Sequence, residues 1–185
     1  MALLIFAWLA YFILHSVLAS RWGKDKVHEH IPVLFKYYRI VYNVIAMIGL
    51  SILLYFSLSP TDLFHIPYHQ LIGYILSLVG LYFMRKAFQS FSMAEFLGLK
   101  PEGDAALVTT GMYAYVRHPL YFASIWLIGG LFLLFPSLSM LLILLVSYLY
   151  ILIGSKLEER KLRNHFGQAY ADYAKKVKAL IPYVY

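Results

Sequence analysis

No cysteine occurs among the 185 residues. That excludes a disulfide scaffold, a thiolate zinc site, an iron–sulfur cluster and a cysteine nucleophile. Charge is scarce as well. Charged residues make up 14% of the chain, against about a quarter in a soluble domain. Acidic side chains are the rarest class, with 9 Asp and Glu against 16 Lys and Arg, for a formal charge of +7. What is abundant is apolar surface. Hydrophobic residues reach 62%, tyrosine alone numbers 17, and the mean hydropathy is +0.69. Neither a soluble globular domain nor a disordered chain has this make-up.

A helix needs about 20 mostly apolar residues to cross the hydrocarbon core. Five segments qualify or nearly so. They are Ala2–Ala19, Ile40–Ser59, a stretch within Leu63–Met84, and two legs sharing the uncharged run Pro119–Ser155. Read as one straight helix, that last run would extend about 55 Å, too far for a single crossing. Pro136-Ser137 supplies the break. The expectation is a helical hairpin of Leu120–Phe135 and Leu138–Gly154 within an all-α integral membrane protein of about five spans. The chain reads as a single membrane domain, with three spans in 1–84 and a core with the hairpin and a cytosolic helical tail in 85–185.

The positive charges fit that count. All 16 Lys and Arg lie in the segments 20–39, 85–118 and 156–178, and none lies at the N-terminus, in the 60–70 loop or at the 136–137 turn. Five spans alternate these segments so that all basic charge falls on one side. The positive-inside rule then sets the N-terminus outside and the C-terminus in the cytoplasm. Topology thus accounts for most of the excess charge, and nucleic-acid binding gains no support from it. Ala2–Ala19 lacks a preceding basic region and is followed by one, so it reads as an anchor and not as a cleaved signal.

Room for chemistry lies in two cytoplasmic pieces, Arg85–His118 and Lys156–Tyr185. The first opens with Phe88, Phe91, Phe96, Leu97 and Leu99, apolar but too short to span. A turn at Pro101-Glu102-Gly103-Asp104 follows. Leu107-Val108-Thr109-Thr110 reads as extended, ending at Gly111. Next comes Tyr113-Ala-Tyr115-Val-Arg117-His118-Pro119-Leu-Tyr121. Pro119 suits the first turn of a helix, which leaves His118 at its N-cap. Arg117 and His118 there have two readings. One is a seat for a carboxylate or phosphate; the other is a basic interfacial anchor flanked by belt tyrosines.

The tail has the opposite sign. Glu158-Glu159 follows directly on the last span, where carboxylates are candidates for holding a cation and sit unfavourably for a helix C-terminus. Leu162, Phe166, Tyr170, Tyr173 and Val177 recur at helical spacing, as an amphipathic interfacial helix would. Gly167 interrupts them as a C-cap. His28-Glu29-His30 and His65…His69 are too sparse for a metal site, and no metal is expected. His15 and Asn43 are polar groups near span ends, suited to joining helices. Gly73, Gly80 and Gly129-Gly130 read as close-packing positions.

The segment 107–121, followed by a helical hairpin, resembles the core of the integral-membrane methyltransferases. That family includes isoprenylcysteine carboxyl methyltransferase and the phospholipid methyltransferases. The second half of its signature is similar to Glu158-Glu159, Phe166-Gly167, Tyr170, Tyr173 and Leu180-Ile181-Pro182. The resemblance covers residues 105–183. His15-Ser16, Tyr38-Arg39 and Tyr42-Asn43 resemble NnrU-like proteins and methanethiol methyltransferases.

The resemblance implies S-adenosylmethionine as cofactor, in a cytosol-facing pocket that includes Val108, Gly111 and Pro119. Within it, Arg117 and His118 would hold the cofactor carboxylate. Glu158 or Glu159 would meet its amino group, a ribose hydroxyl or the cationic end. Tyr113, Tyr121, Tyr170 and Tyr173 would wall the adenine and sulfonium, with Leu180, Ile181 and Pro182 closing over the ring. Arg117, Glu158 and Glu159 are the catalytic candidates. The implied acceptor is lipophilic or a small thiol, carboxylate or amine, reached through the bilayer. Two alternatives stay open: an NADPH-dependent membrane reductase akin to sterol reductases, and a non-enzymatic NnrU-like binding protein. Oligomeric state is not legible.

Overall fold

The computed structural model describes residues 2–35, 37–58, 63–64, 66–90, 97, 99 and 106–181, except the side chains of Arg21 and Leu34. His65, Phe91, Phe96, the expected 101–104 turn and Pro182 lie outside the described residues. The described elements are helical, with a lone parallel bridge between Val116 and Lys178. They are α1 (Ala2–Ala19), α2 (Arg21–His30), α3 (Pro32–Phe35), α4 (Tyr38–Ser57), α5 (His69–Phe88), a 3₁₀ turn (Gly111–Ala114), α6 (Pro119–Leu134), α7 (Leu138–Phe166) and α8 (Gln168–Lys176).

α1, α4, α5 and α7 are each long and apolar enough to cross a membrane, and α6 is a shorter apolar helix of 16 residues. This is an all-α, multi-pass membrane protein. Leu3, Phe6, Met47, Tyr55 and Leu78 stay exposed along the spans, as side chains facing lipid must.

Two compact units divide the chain: residues 1–59 with 93–104, and residues 60–92 with 105–185. In the first, α1 and α4 pack antiparallel. Trp8 Nε1 donates to Ser57 Oγ at 3.1 Å near one end, and Tyr38 donates its hydroxyl to the Leu18 carbonyl at 2.6 Å near the other. Asn43 donates to the Leu97 carbonyl at 3.3 Å. The His15 ring lies near Tyr11 and Tyr42. The basic segment after α1 forms α2, which the charge pattern did not reveal. Ser20 caps it, accepting from the Gly23 N–H at 3.1 Å, as N-cap serines do.

In the second unit, α5 and α6 also run antiparallel, at backbone contact. A Cβ on Gly73 would come within 2.9 Å of the Gly130 carbonyl, and one on Gly80 within 2.7 Å of the Leu127 nitrogen. The expected close-packing glycines therefore form one seam, with Gly129 the exception. The hairpin breaks where proline and serine predict. Ser137 caps α7 by accepting from Met140 N–H at 3.2 Å.

Three expectations need correction. The third span does not end by Met84; it begins at His69, after Pro67 and the left-handed Tyr68 (φ 66°), and runs on through Arg85 and Lys86 to Phe88. α7 does not end near Gly154; it continues through the charged residues to Phe166, 29 residues in all. Glu158 and Glu159 are therefore interior helix residues, and the argument from an unfavourable C-terminal dipole does not apply to them. The tail periodicity is also not one interfacial helix. Gly167, with φ 54°, separates α7 from α8, and α8 buries Tyr170 and Tyr173 inside the protein.

Candidate active site

Gly111 opens the site. Its φ of 62° is a left-handed conformation that glycine adopts without a Cβ penalty. The chain turns there into the 3₁₀ segment carrying Tyr113. Val116 then pairs with Lys178, so the last residues before α6 lie beside the tail. The N–H groups of Arg117 and His118 donate to the carbonyls of Lys178 (2.8 Å) and Ala179 (3.1 Å). Pro119 occupies the first turn of α6, with buried His118 as its N-cap residue, as the sequence predicts.

The Arg117 guanidinium is fully engaged. Nε donates to Glu159 Oε1 at 3.0 Å and Nη2 donates to the same oxygen. Nη1 donates to the carbonyls of Ala174 (3.2 Å) and Val177. One side chain thus joins α6, α7 and the end of α8. His118 lies between the two glutamates. Nε2 is 3.4 Å from Glu159 Oε1, and Nδ1 is 3.4 Å from Glu158 Oε2.

Consecutive residues on a helix point about 100° apart, and the two glutamates use that angle. Glu159 turns to the Arg117 side, where it is 19% exposed; Glu158 is 47% exposed. Glu158 lies beside the Tyr121 hydroxyl and near Tyr113. The His118 and Tyr121 rings are 5.6 Å apart. A half-open carboxylate framed by Tyr113, Tyr121 and His118 suits an organic cation bearing an aromatic group. Arg117, Ser155, Lys156, Glu159, Ala174, Lys178 and Ala179 line a separate cavity of about 360 Å³ on the Arg117 side.

Tyr173 donates its hydroxyl to the Tyr113 carbonyl at 2.6 Å. Tyr170 is buried, and its hydroxyl has no hydrogen-bond partner among the described residues, although Glu159 and Arg117 lie beside it. Burial, reinforced by Glu158, pushes the Tyr113 phenol up to about 12. Burial raises Tyr173 also, and burial with Glu159 raises Tyr170. A phenol raised in the folded state keeps its proton where the unfolded chain loses it. The stability it contributes is present below pH ~10 and is lost as pH rises from there. The melting temperature is expected to hold from pH 8 to ~10 and then fall, with delayed tyrosinate absorbance at 295 nm. A flat melting temperature up to pH ~11.5 would contradict it.

The structure therefore brings together Tyr113, Arg117, His118, Pro119, Tyr121, Glu158, Glu159, Tyr170, Tyr173 and the buried Leu180. Ile181 is 45% exposed, and Val108 is partly buried outside any regular element. Sequence reasoning missed the carbonyls of Ala174 and Val177 and the lining residues Ser155, Lys156 and Lys178. Backbone carbonyls leave no residue-type signal, so only the basic residues were open to detection.

The arrangement has relatives. The sequence model of the family described as "Phospholipid methyltransferase" matches residues 68–169, more than half the chain and all of α5, α6 and α7. The chain belongs to this family. A protein-S-isoprenylcysteine O-methyltransferase of Schizosaccharomyces pombe is 41% identical over 102 residues, 55% of this chain and 42% of the relative. One of Saccharomyces cerevisiae is 33% identical over 118 residues, 61% of this chain and 48% of the relative. A methanethiol S-methyltransferase of Pseudomonas deceptionensis is 34% identical over 116 residues, 60% of this chain and 42% of the relative. The matches span just under half the length of these relatives. For a phospholipid methyltransferase family member, the residue network described above lies at the junction of α6, α7 and the tail.

Proposed function

We propose that this protein transfers a methyl group from S-adenosylmethionine to a lipophilic acceptor, or to a small thiol, carboxylate or amine, at the cytosolic membrane face. The observation that carries this reading is Glu158, half exposed and framed by Tyr113, Tyr121 and His118, inside the segment that matches the methyltransferase family. The donor set fits the cofactor. A carboxylate meets its ammonium or ribose hydroxyls, and the aromatic rings meet adenine and sulfonium. Val108 leads into the Gly111 turn that sets Tyr113. Buried Leu180 closes the apolar side.

The network divides the labour. Arg117, with all three nitrogens engaged, positions Glu159 and the tail; His118 lies between the two glutamates. Glu158 is the carboxylate left for the cofactor. The cofactor supplies an activated methyl on a sulfonium, so the protein mainly aligns the partners and excludes water. A thiol or amine acceptor must also lose a proton to a base; a carboxylate acceptor needs none. The basic segments orient the chain with the N-terminus outside and the site cytosolic.

Saturable binding of S-adenosylhomocysteine to the full chain in nanodiscs, with NADPH as control, tests this. Glu158→Ala is expected to weaken it roughly 10- to 100-fold, the worth of a hydrogen bond to a charged group. Binding of NADPH alone, or of neither ligand by a folded sample, would overturn the reading.

A further inference from the structure

A second cavity lies apart from the glutamates, between the last two turns of α5 and the 3₁₀ turn. Its volume is about 900 Å³, within the range of specific ligand pockets. α5 contributes Tyr82, Phe83, Lys86, Gln89 and Ser90, which share one face of the helix and its cap at i, i+1, i+4, i+7 and i+8. Thr110 to Tyr115, without Tyr113, and Phe122 of α6 supply the opposite wall.

The lining is graded along α5. Tyr82, Phe83, Met112 and Phe122 are apolar or aromatic. Lys86, Gln89, Ser90 and Thr110 are polar and lie toward the end of the span. Lys86 is the cation, and no carboxylate occurs among the described lining residues. Its ammonium lies 5.8 Å from the centre of the Tyr82 ring, and no carboxylate pairs with it among the described residues. Tyrosine and lysine at the end of a spanning helix mark the level where acyl chains give way to headgroups. The cavity thus repeats the layout of a bilayer amphiphile, with the apolar part toward the span and the cationic part toward the surface.

We propose that this cavity binds an acidic phospholipid, its anionic headgroup on Lys86, Ser90 and Thr110 and its chain against Phe83 and Phe122. The lipid is bound and not methylated. The cavity shares the Gly111 turn with the Glu158 network but is lined by neither glutamate nor by Tyr113, Arg117, His118 or Tyr121, and the proposal stands whatever the methyl acceptor is.

The test uses the full chain in a nonionic detergent. Dioctanoyl phosphatidylglycerol, which offers no amine, thiol or carboxylate, is titrated against the melting temperature, with dioctanoyl phosphatidylcholine as control. A saturable rise is expected with phosphatidylglycerol and not with phosphatidylcholine. Lys86→Glu is expected to move its midpoint about tenfold or more, and Lys86→Gln by less. Arg85→Glu makes the same charge change one residue away, outside the lining, and is expected to leave the midpoint within about twofold. Lys86→Gln carries the test if Lys86→Glu does not fold. Equal responses to the two lipids, or equal losses in the Arg85 and Lys86 variants, would overturn the proposal.

Discussion

Arg117→Ala is expected to free the tail from the hairpin while the spans stay folded. The guanidinium holds Glu159 and the carbonyls of Ala174 and Val177. Its removal leaves a largely buried carboxylate without its cation and returns helix-end carbonyls to orphan status. Breaking a fully buried pair costs about 3–5 kcal/mol. This pair retains some exposure, 11% and 19%, so about 2–4 kcal/mol of local stability is the expected loss. Hydrogen exchange reads the result directly. Amides of 168–181 should exchange at least tenfold faster while those of α5 and α6 keep their protection, and protease should cut near Gly167. Arg117→Lys keeps the charge without the fork and should fall between. If Arg117 instead holds the cofactor carboxylate directly, the alanine variant will weaken S-adenosylhomocysteine binding with tail exchange unchanged. That pattern would overturn the role of Arg117 in holding the tail.

Gly130→Val is the second large effect. A Cβ there would meet the Ser77 side chain, lie 2.6 Å from the Ser77 nitrogen and lie 2.8 Å from the Gly73 carbonyl. Two of these are backbone atoms of α5 and cannot rotate away. Overpacking a tight contact costs about 1–3 kcal/mol when side chains yield. Here the helices themselves must separate, and at least about 3 kcal/mol is expected. The neighbouring glycine is the control. Among the described residues nothing lies within 4 Å of a Cβ on Gly129, so Gly129→Ala should be neutral or stabilising by up to about 1 kcal/mol. Melting in detergent separates the two. Equal behaviour of the pair would show that the seam is not a backbone contact.

The spans and the hairpin break were legible because they rest on local chemistry: apolar run length, Pro136, and a serine able to cap. The end of α7 was not. Its charged residues mark where lipid ends, and that was read as the helix end. Lys156, Glu158, Arg160 and Lys161 are good helix formers and continue the same rod. α5 starts inside the expected stretch but runs past Met84, because Arg85 and Lys86, like the charges of α7, mark the lipid boundary and not the helix end. In the site, Arg117, His118, Glu158 and Glu159 were identified by residue type and motif. Their mutual pairing was not, since Arg117 and Glu159 are 42 residues apart and spacing says nothing about contacts at that range. Arg117 therefore read as a free cation awaiting an anion.

The length of α7 has a consequence of its own. From Leu138 to Glu158 the helix rises about 30 Å, the thickness of the hydrocarbon layer. One rigid rod thereby fixes the height of the carboxylate at the boundary between oil and water. On the proposed reading, the enzyme draws its two substrates from different phases. The donor is governed by its bulk concentration. A lipophilic acceptor is governed by its mole fraction in the bilayer, so diluting it with inert lipid should slow turnover at constant total amount. Lengthening α7 by a turn before Lys156 would lift the carboxylates about 5 Å out of register with the membrane surface.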